Sequence, residues 1–325
     1  MDDNIFKSRV DLTEFNNQVL KIKSEIGKVI VGQEAMIDLL ITALLSDGHV
    51  LIEGVPGVAK TLTAKLLARI MAVDFSRIQF TPDLMPSDVL GTSVYNLKTT
   101  DFEFKAGPIF SNIILIDEIN RAPAKTQAAL FEVMEERQVT IDGHTHHMRS
   151  PYLVLATQNP IEQEGTYRLP EAQLDRFLFK IVVNYPTQDE EIEILARHHE
   201  RKGFQALTEV SPLISAEQIH VFRQFAQQIH VEKNLLSYIA QIIQETRNNP
   251  MVFLGASPRA SLAILSSAKS FAMINGRDFV SPEDIKFTAL PVLRHRIILS
   301  PEKEMEGMDA DEVVTQIINK IEVPR

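Results

Sequence analysis

The sequence predicts an α/β fold in which a mostly parallel sheet lies between helices, followed by an all-α domain. Five short apolar runs (residues 50–53, 77–80, 113–116, 152–156 and 179–183) alternate with helical patterns, which is typical of a parallel sheet with helices on both faces. From residue 189 onward the apolar residues recur at helical spacing and almost no strand pattern remains. We therefore expect a five-stranded sheet within residues 1–187 and a helical domain in residues 188–325, with the boundary near Thr187.

The first apolar run leads into a glycine loop of the kind that binds phosphate. Gly54 and Gly57 lie in this loop, and Lys60 and Thr61 open the helix that follows. Backbone N–H groups and the helix dipole attract phosphate, the lysine reaches the outer phosphates, and the threonine hydroxyl is placed to bind Mg²⁺. The general pattern has glycine before the lysine, whereas this chain has Ala59. Taken alone, the altered motif leaves an ordinary strand–turn–helix connection as the alternative.

Composition narrows the function classes. The 325 residues include 33 Lys plus Arg and 43 Asp plus Glu, which gives a formal net charge of −10. An acidic chain is a poor binder of nucleic acid unless a basic patch forms locally. There is no cysteine, which excludes disulfides and thiol chemistry. The N-terminus lacks the pattern of a signal peptide and no apolar run reaches membrane-spanning length, so we expect a cytoplasmic protein without membrane insertion.

Two stretches between the predicted strands have the pattern of β-hairpins. Residues 91–110 alternate around a polar centre, and residues 138–150 turn at Asp142-Gly143. The second hairpin holds three histidines, His144, His146 and His147. A metal site is one interpretation of these histidines, but no Cys or carboxylate accompanies them at ligand spacing. We therefore favour an exposed hairpin tip.

Helices are predicted on both sides of the domain boundary. In the first part they cover residues 13–28, 36–45 and 125–137. In the second part we expect five, of which the fourth begins at Pro258 and the fifth is stopped by Pro291.

Two carboxylates, Asp117 and Glu118, follow the third apolar run. In a parallel sheet ligands bind at the carboxyl ends of the strands, and the glycine loop follows its own strand at that edge. Asp117 is therefore expected beside Thr61, where it can hold the Mg²⁺ shell, and Glu118 is expected to polarise the water that attacks the γ-phosphate. An exposed acidic turn is the alternative. Asn159 ends the next strand, where it can bond the γ-phosphate or the attacking water, or form a turn before Pro160.

Two arginines stand close to the ends of predicted elements. Arg176 comes just before the last strand, and Arg259 follows Pro258 in the first turn of its helix. Either can be a solvated charge or part of a local ion pair. A cation in a first helical turn is mildly disfavoured by the helix dipole, so an anion near Arg259 would offset that cost.

Together these motifs resemble the MoxR family of AAA+ ATPases, and the resemblance covers nearly the whole chain. The most specific matches lie at residues 54–61, 117–122, 155–167, 169–177 and 255–260. Ala59 is the residue that this family has before the lysine. The resemblance implies an AAA+ P-loop NTPase core with a helical lid, which binds ATP or ADP with Mg²⁺ and hydrolyses ATP to ADP and phosphate. Arg168 departs from the expected proline and adds a cation near the expected subunit interface.

The resemblance also implies roles for the residues at the carboxyl edge of the sheet. Lys60 and Thr61 take the Walker A positions, and Asp117 and Glu118 take the Walker B positions. Asn159 takes the sensor 1 position.

Further roles follow for the arginines and for the nucleotide-binding segment. Arg176 matches the arginine finger, which acts on the neighbouring subunit's nucleotide, and Arg259 matches sensor 2 in the lid. The segment at residues 31–33 matches the one that lies against adenine, and the two hairpins match the helix-2 insert and the pre-sensor-1 insert. The nucleotide-binding residues implied are Val31, Gly32, Gln33, Gly54, Val55, Pro56, Gly57, Val58, Ala59, Lys60, Thr61 and Leu62.

Three functions are compatible with these motifs, and we favour the first. It is an oligomeric ATPase, expected to form a hexameric ring, that remodels, activates or matures partner proteins; the resemblance implies von Willebrand factor A domain proteins as partners. The second is a helicase-like motor on nucleic acid, but the tip of the first hairpin has no basic cluster. The third is a nucleotide switch with little turnover, against which the intact pair Asp117-Glu118 argues.

Overall fold

The computed structural model describes residues 11–55, 57–159, 167, 169–200 and 206–324. Its strands are β1 (His49–Gly54), β2 (Phe75–Gln79), β3 (Gly91–Asn96), β4 (Asp101–Ala106), β5 (Ile113–Asp117), β6 (Gln138–Ile141), β7 (His144–His147), β8 (Leu153–Gln158), β9 (Phe177–Val183), β10 (Val252–Leu254) and β11 (Ile298–Leu299). Five of them form one parallel sheet in the order β2-β5-β8-β1-β9. Each of these five overlaps one of the predicted apolar runs, so the predicted fold class is confirmed.

The sheet is buried on both faces, which explains why its strands appear in the sequence as continuous apolar runs. In β5, Ile113 and Leu115 pack into the larger hydrophobic core. Ile114 and Ile116 pack into the smaller core on the other face. Successive side chains of a strand point to opposite faces, so one strand contributes to both cores.

Helices cover the sheet in the first part of the chain. They are α1 (Thr13–Val29), α2 (Glu34–Leu45), α3 (Lys60–Ile70), α4 (Pro86–Leu90), α5 (Ala124–Glu136) and α6 (Glu171–Leu174). The stripe of Phe15, Val19, Ile22 and Ile26 is the buried face of α1, as helical spacing predicts.

The two predicted hairpins are present. β3 pairs with β4, and β6 pairs with β7, each pair antiparallel. Asp142 and Gly143 both have positive φ, at 49° and 79°, and form the turn between β6 and β7.

The second part of the chain is mostly helical. Its helices are α7 (Gln188–Glu200), α8 (Ala216–Gln228), α9 (Lys233–Asn248), α10 (Pro258–Ile274), α11 (Pro282–Leu293), α12 (Pro301–Met305) and α13 (Ala310–Lys320). The short strands β10 and β11 pair antiparallel between them. We keep the domain boundary near Thr187, between β9 and α7, as a proposal. Across the part of the chain that the structure describes, none of the helices combines the length and the apolar character needed to cross a membrane.

The expectation that Pro291 stops its helix is wrong. Pro291 lies inside α11, which continues to Leu293. A proline removes one N–H donor and crowds the preceding turn. Here only the end of the helix follows it, and the N–H of Arg294 still bonds to the carbonyl of Leu290 at 3.1 Å. The cost is therefore confined to the last turn.

The register of β1 and β9 defines two opposite edges of the sheet. His49 pairs with Phe177 at the amino ends, and Gly54 pairs with Val183 at the carboxyl ends. Parallel strands rise about 3.3 Å per residue, so roughly 17 Å separate these two edges. We call them the amino edge and the carboxyl edge.

Candidate functional site

The glycine loop follows β1 at the carboxyl edge. Gly57 and Ala59 both have positive φ, at 91° and 58°. Ala59 immediately precedes α3, and its carbonyl accepts the N–H of Thr63 at 2.9 Å and the Thr63 hydroxyl at 3.1 Å. The helix therefore begins at Lys60, directly after the loop, and leaves its first N–H groups free to bind an anion.

Apolar residues of the loop anchor it to the protein. Val58 is buried, and Val55 and Leu62 pack against the larger core. Pro56, which the sequence also assigns to the nucleotide site, lies outside the described residues.

Lys60 stands among three carboxylates. Its ammonium group donates a hydrogen bond to the carbonyl of Gly54 at 2.6 Å. Burial lowers the pKa of Lys60, while the negative charges of Asp117, Glu118 and Glu53 act in the opposite direction. The structure thus brings the loop lysine together with both carboxylates that follow β5.

Asp117 is the buried last residue of β5. One carboxylate oxygen accepts the Nε–H of Arg77 at 2.6 Å. The other accepts the hydroxyl of Thr157 at 3.2 Å. A buried carboxylate needs such donors to offset its desolvation.

Glu118 has a left-handed backbone, with φ at 57°. This conformation is uncommon for residues other than glycine and turns the chain sharply at the end of β5. The N–H of Glu118 donates to the hydroxyl of Thr157 at 3.1 Å. Its carboxylate accepts the side-chain amide of Gln79 at 2.9 Å and pairs with Arg121 at 3.3 Å.

Three side chains that were not predicted from the sequence hold these carboxylates, namely Arg77, Gln79 and Thr157. Arg77 and Gln79 belong to β2, in which Gln79 lies directly opposite Asp117. Thr157 belongs to β8, on the other side of β5. Thr157 lies within the motif at residues 155–167, but its contact with Asp117, like the roles of Arg77 and Gln79, depends on the order and register of the strands.

Asn159 and Thr61 also stand at the carboxyl edge. Asn159 directly follows β8, which lies between β1 and β5. It therefore stands between the strand that leads to the loop and the strand that ends at Asp117. Thr61 is the second residue of α3 and is half-buried.

A cavity of about 230 Å³ lies beside the segment predicted to contact adenine. Its lining includes Val31, Gln33, Val58, Leu62, Ile194 and Arg197. Ile194 and Arg197 belong to α7, so the first helix of the second part forms one side of this cavity. Gly32 has φ of 65°, and a Cβ there would collide with the carboxylate of Glu190. Glycine suits this position because it adopts a positive φ without strain, and the Glu190 side chain of α7 occupies the space that a Cβ would take.

Arg176 and Arg259 lie together, far from the glycine loop. Arg176 precedes Phe177 at the amino edge and donates to one oxygen of Glu135 at 2.8 Å. Arg259 donates to the other oxygen of Glu135 at 2.9 Å. Glu135 thus supplies an anion near Arg259, which offsets the cost of a cation in the first turn of the helix. Among the described residues that line the cavity beside Val31, neither arginine appears.

The three histidines of the second hairpin differ in their surroundings. His146 stacks on Phe104 of the first hairpin, with 4.2 Å between ring centroids, and meets Phe110 edge-on. His144 and His147 are exposed. The described residues contain no group of three His, Cys, Asp or Glu side chains that could hold a metal ion. His146 therefore joins the two hairpins, and the other two fit the expected exposed tip. Arg168 lies outside the described residues.

Two family models match this chain. Residues 49–179 match the ATPase family associated with various cellular activities (AAA), and residues 244–317 match the AAA lid domain. The first range contains the glycine loop, Asp117, Glu118 and Asn159, and the second contains Arg259.

Similar proteins align over most of their length. The chain is 46% identical to the uncharacterized protein YeaC of Bacillus subtilis, over 94% of each chain. It is 43% identical to the chaperone MoxR1 of Mycobacterium tuberculosis, over 93% of this chain and 81% of that protein. A crystal structure from Cytophaga hutchinsonii, assigned as an ATPase, has 43% sequence identity and a TM-score of 0.89 over 97% of each chain.

Proposed function

Because this chain belongs to the MoxR family of AAA+ ATPases, we propose that it hydrolyses ATP between two copies of itself and uses the energy to remodel partner proteins. One observation carries the first half of this proposal. Lys60, Asp117 and Glu118 meet at the carboxyl edge, whereas Arg176 precedes the first residue of β9 at the amino edge. An arginine side chain cannot span the roughly 17 Å between these edges.

One copy binds the nucleotide. The loop at residues 54–61 binds the phosphates through backbone N–H groups and Lys60, and residues 31–33 bind adenine beside α7. The Thr61 hydroxyl and the Asp117 carboxylate are the hard oxygen ligands that Mg²⁺ prefers, and both belong to this edge. When bound, Mg²⁺ neutralises charge on the phosphate oxygens.

Glu118 acts as the base on the attacking water, and Asn159 orients that water or the γ-phosphate. Support for this assignment comes from the position of Glu118, next to Asp117 and within electrostatic reach of Lys60. The left-handed turn at Glu118 and its backbone bond to Thr157 fix this residue directly after β5, where its carboxylate contacts Gln79 and Arg121.

The neighbouring copy supplies Arg176 and Arg259. Both guanidinium groups reach the same carboxylate of Glu135, so the two side chains occupy one site at the amino edge. In this arrangement the sensor 2 arginine acts together with the arginine finger, on the nucleotide of the next copy. Guanidinium groups stabilise the charge that develops in phosphoryl transfer.

A head-to-tail arrangement closes into a ring when the rotation between neighbours allows it, and we propose a hexamer. We propose the cytoplasm as its location. The clients are proteins, with von Willebrand factor A domain proteins as the implied class and the chaperone name of MoxR1 as support.

The first hairpin favours a protein partner over nucleic acid. Its exposed side chains include Leu97 and Phe102, at 85% and 67% of their full exposure. Lys98 at the tip is followed by Asp101 and Glu103, so no basic cluster forms there. Salt-dependent stimulation of the ATPase by DNA would instead favour a nucleic-acid motor.

Mixed assemblies test the shared site. The variant Glu118→Gln should bind ATP without turnover. The variant Arg176→Ala should bind ATP but supply no arginine finger to the nucleotide of the neighbouring copy. Each variant alone should be inactive. In a 1:1 mixture about one quarter of the interfaces combine an intact Glu118 with an intact Arg176, so activity should return to that extent in a randomly mixed ring.

The control mixture combines Glu118→Gln with Lys60→Ala. Both substitutions damage the nucleotide-binding side, so no interface in this mixture is complete and no activity should return. If the mixture of Glu118→Gln with Arg176→Ala is no more active than this control, Arg176 does not act on a neighbouring copy.

A further inference from the structure

Arg296 holds the backbone on both sides of Arg176. Its side chain is only 4% exposed. The guanidinium donates to the carbonyl of Asp175 at 3.2 Å, of Phe177 at 2.6 Å and of Leu178 at 3.0 Å. Arg176 lies between the first two of these carbonyls. Its backbone is therefore fixed at both ends by one side chain from the lid.

All five N–H donors of Arg296 are used. Besides the three bonds to the chain around Arg176, Nε–H donates to the carboxylate of Asp175 at 2.7 Å and Nη1 donates to the carbonyl of Val292 at 2.6 Å. Burial lowers the pKa of Arg296, and Asp175 opposes that shift. A lysine offers three donors from one atom and cannot reproduce this planar arrangement.

The carboxylate of Asp175 connects this contact to Arg259. Its second oxygen accepts the hydroxyl of Ser257 at 3.3 Å. Ser257 immediately precedes α10, in which Arg259 is the second residue. Asp175 directly precedes Arg176. Its carboxylate thus joins Arg296 to Ser257, the residue that precedes the helix carrying Arg259.

The residues on either side of Arg296 suggest an alternative role for it, which is only to supply hydrogen-bond donors to the exposed edge strand β9. β9 is an edge strand of the sheet, and its outer carbonyls need donors. His295 donates to the carbonyl of Phe177 at 2.9 Å, and Arg294 donates to that of Lys180 at 3.3 Å while pairing with Asp311 at 2.9 Å. Arg294 therefore docks the lid on β9 without touching the residues beside Arg176.

We propose that Arg296 is a positioning residue for Arg176 and, through Asp175 and Ser257, for Arg259, so that the lid of one copy sets the arginines used by its neighbour. This inference rests on the proposed function. Displacing a reacting group by about 1 Å can cost roughly 100-fold in rate. Arg296 acts through Arg176 and does not itself bind the nucleotide, because all five of its N–H donors are used within its own copy.

The sharpest test compares Arg296→Lys with Arg294→Lys. Both keep the charge, both lie in the same segment of the lid, and both alter a buried guanidinium. Arg296→Lys should lower kcat about 10- to 100-fold with an unchanged affinity for a fluorescent ATP analogue, because its own glycine loop is intact. Arg294→Lys should stay within about twofold of the unchanged protein in kcat, since it retains the ion pair with Asp311.

Mixing experiments then separate positioning from a general structural role. Arg296→Lys should behave like Arg176→Ala: mixing with Glu118→Gln should restore activity, and mixing with Arg176→Ala should not. A lesion on the nucleotide-binding side would show no recovery with Glu118→Gln. If Arg176→Ala is rescued by Glu118→Gln but Arg296→Lys is not, or if Arg296→Lys keeps full kcat, the inference is wrong.

Two further outcomes of these experiments concern the shared site itself and the folding of the Arg296→Lys protein. If Glu118→Gln rescues neither variant, the shared site proposed above fails, and the role of Arg296 fails with it. If Arg296→Lys does not give a cooperative unfolding transition, Asp175→Asn replaces it in the same mixtures. Asparagine keeps the shape of Asp175 and removes its charge, and a fully active Asp175→Asn protein would overturn the inference.

Discussion

The hydroxyl of Thr157 donates a hydrogen bond to the carboxylate of Asp117, with 3.2 Å between the two oxygens. The same hydroxyl accepts the backbone N–H of Glu118 at 3.1 Å. Thr157 is buried in β8, which lies next to β5 in the sheet. A single side chain therefore orients the two residues to which we assign metal binding and water activation.

Replacing Thr157 by valine should damage both stability and turnover. Valine keeps the shape but leaves the N–H of Glu118 and an oxygen of Asp117 without this partner, which should cost about 1–3 kcal/mol in the free energy of unfolding. Because Glu118 loses an orienting contact, kcat should fall about tenfold or more. Urea unfolding and steady-state ATPase assays measure the two effects.

Thr157→Ser is the matched control for this substitution. Serine retains the hydroxyl and should keep kcat within about threefold of the unchanged protein. Equal turnover in the valine and serine variants would show that the hydroxyl does not orient Glu118.

Replacing Ala59 by glycine should stabilise the protein. Ala59 has φ of 58°, where a Cβ costs about 1–2 kcal/mol. Glycine removes that cost but increases the conformational entropy of the unfolded chain, which cancels about 0.4–1 kcal/mol of the gain in stability. We expect the free energy of unfolding to rise by about 0.5–1 kcal/mol, measured by urea denaturation.

The control for Ala59 is an exposed alanine inside a helix. Ala128 lies in α5, and Ala128→Gly should lower the free energy of unfolding by about 1 kcal/mol. If the free energy of unfolding rises in Ala59→Gly and falls in Ala128→Gly, backbone strain at Ala59 is supported. A fall in both variants would contradict that strain.

Two buried histidines should make the protein less stable in mild acid. Burial is the main reason why the pKa values of His49 and His295 lie well below the ordinary value of 6.5. Below about pH 6.5 the unfolded chain binds protons at these residues and the folded protein does not. Their contribution is therefore intact above pH 6.5 and is lost as the pH falls, by up to about 1.4 kcal/mol per pH unit for each histidine.

Urea unfolding at pH 7.5, 6.5 and 5.5 measures this dependence. In His295→Gln one of the two groups no longer titrates, so the slope between pH 6.5 and 5.5 should fall to about half. A free energy of unfolding that stays constant down to pH 5.5 would show that these histidines become protonated in the folded protein.

Local patterns predicted the parts of this protein that depend on near neighbours in the chain. The run at 113–116 followed by Asp117 and Glu118 identified a buried strand with carboxylates at its end, and the structure has both. Pro291 shows the limit of such patterns, because the helix continues through it. Helix ends depend on what packs around them as well as on the local residues.

By itself the sequence determined five strands, a glycine loop, two hairpins and the residue types that can bind a nucleotide. Tertiary structure alone decided that Thr157 meets Asp117, that Arg176 and Arg259 share Glu135, and that Arg296 brackets Arg176. The reason is physical. Spacing along the chain reflects the repeat of one helix or strand, whereas these contacts depend on strand order, strand register and the docking of the lid, which join residues far apart in the sequence.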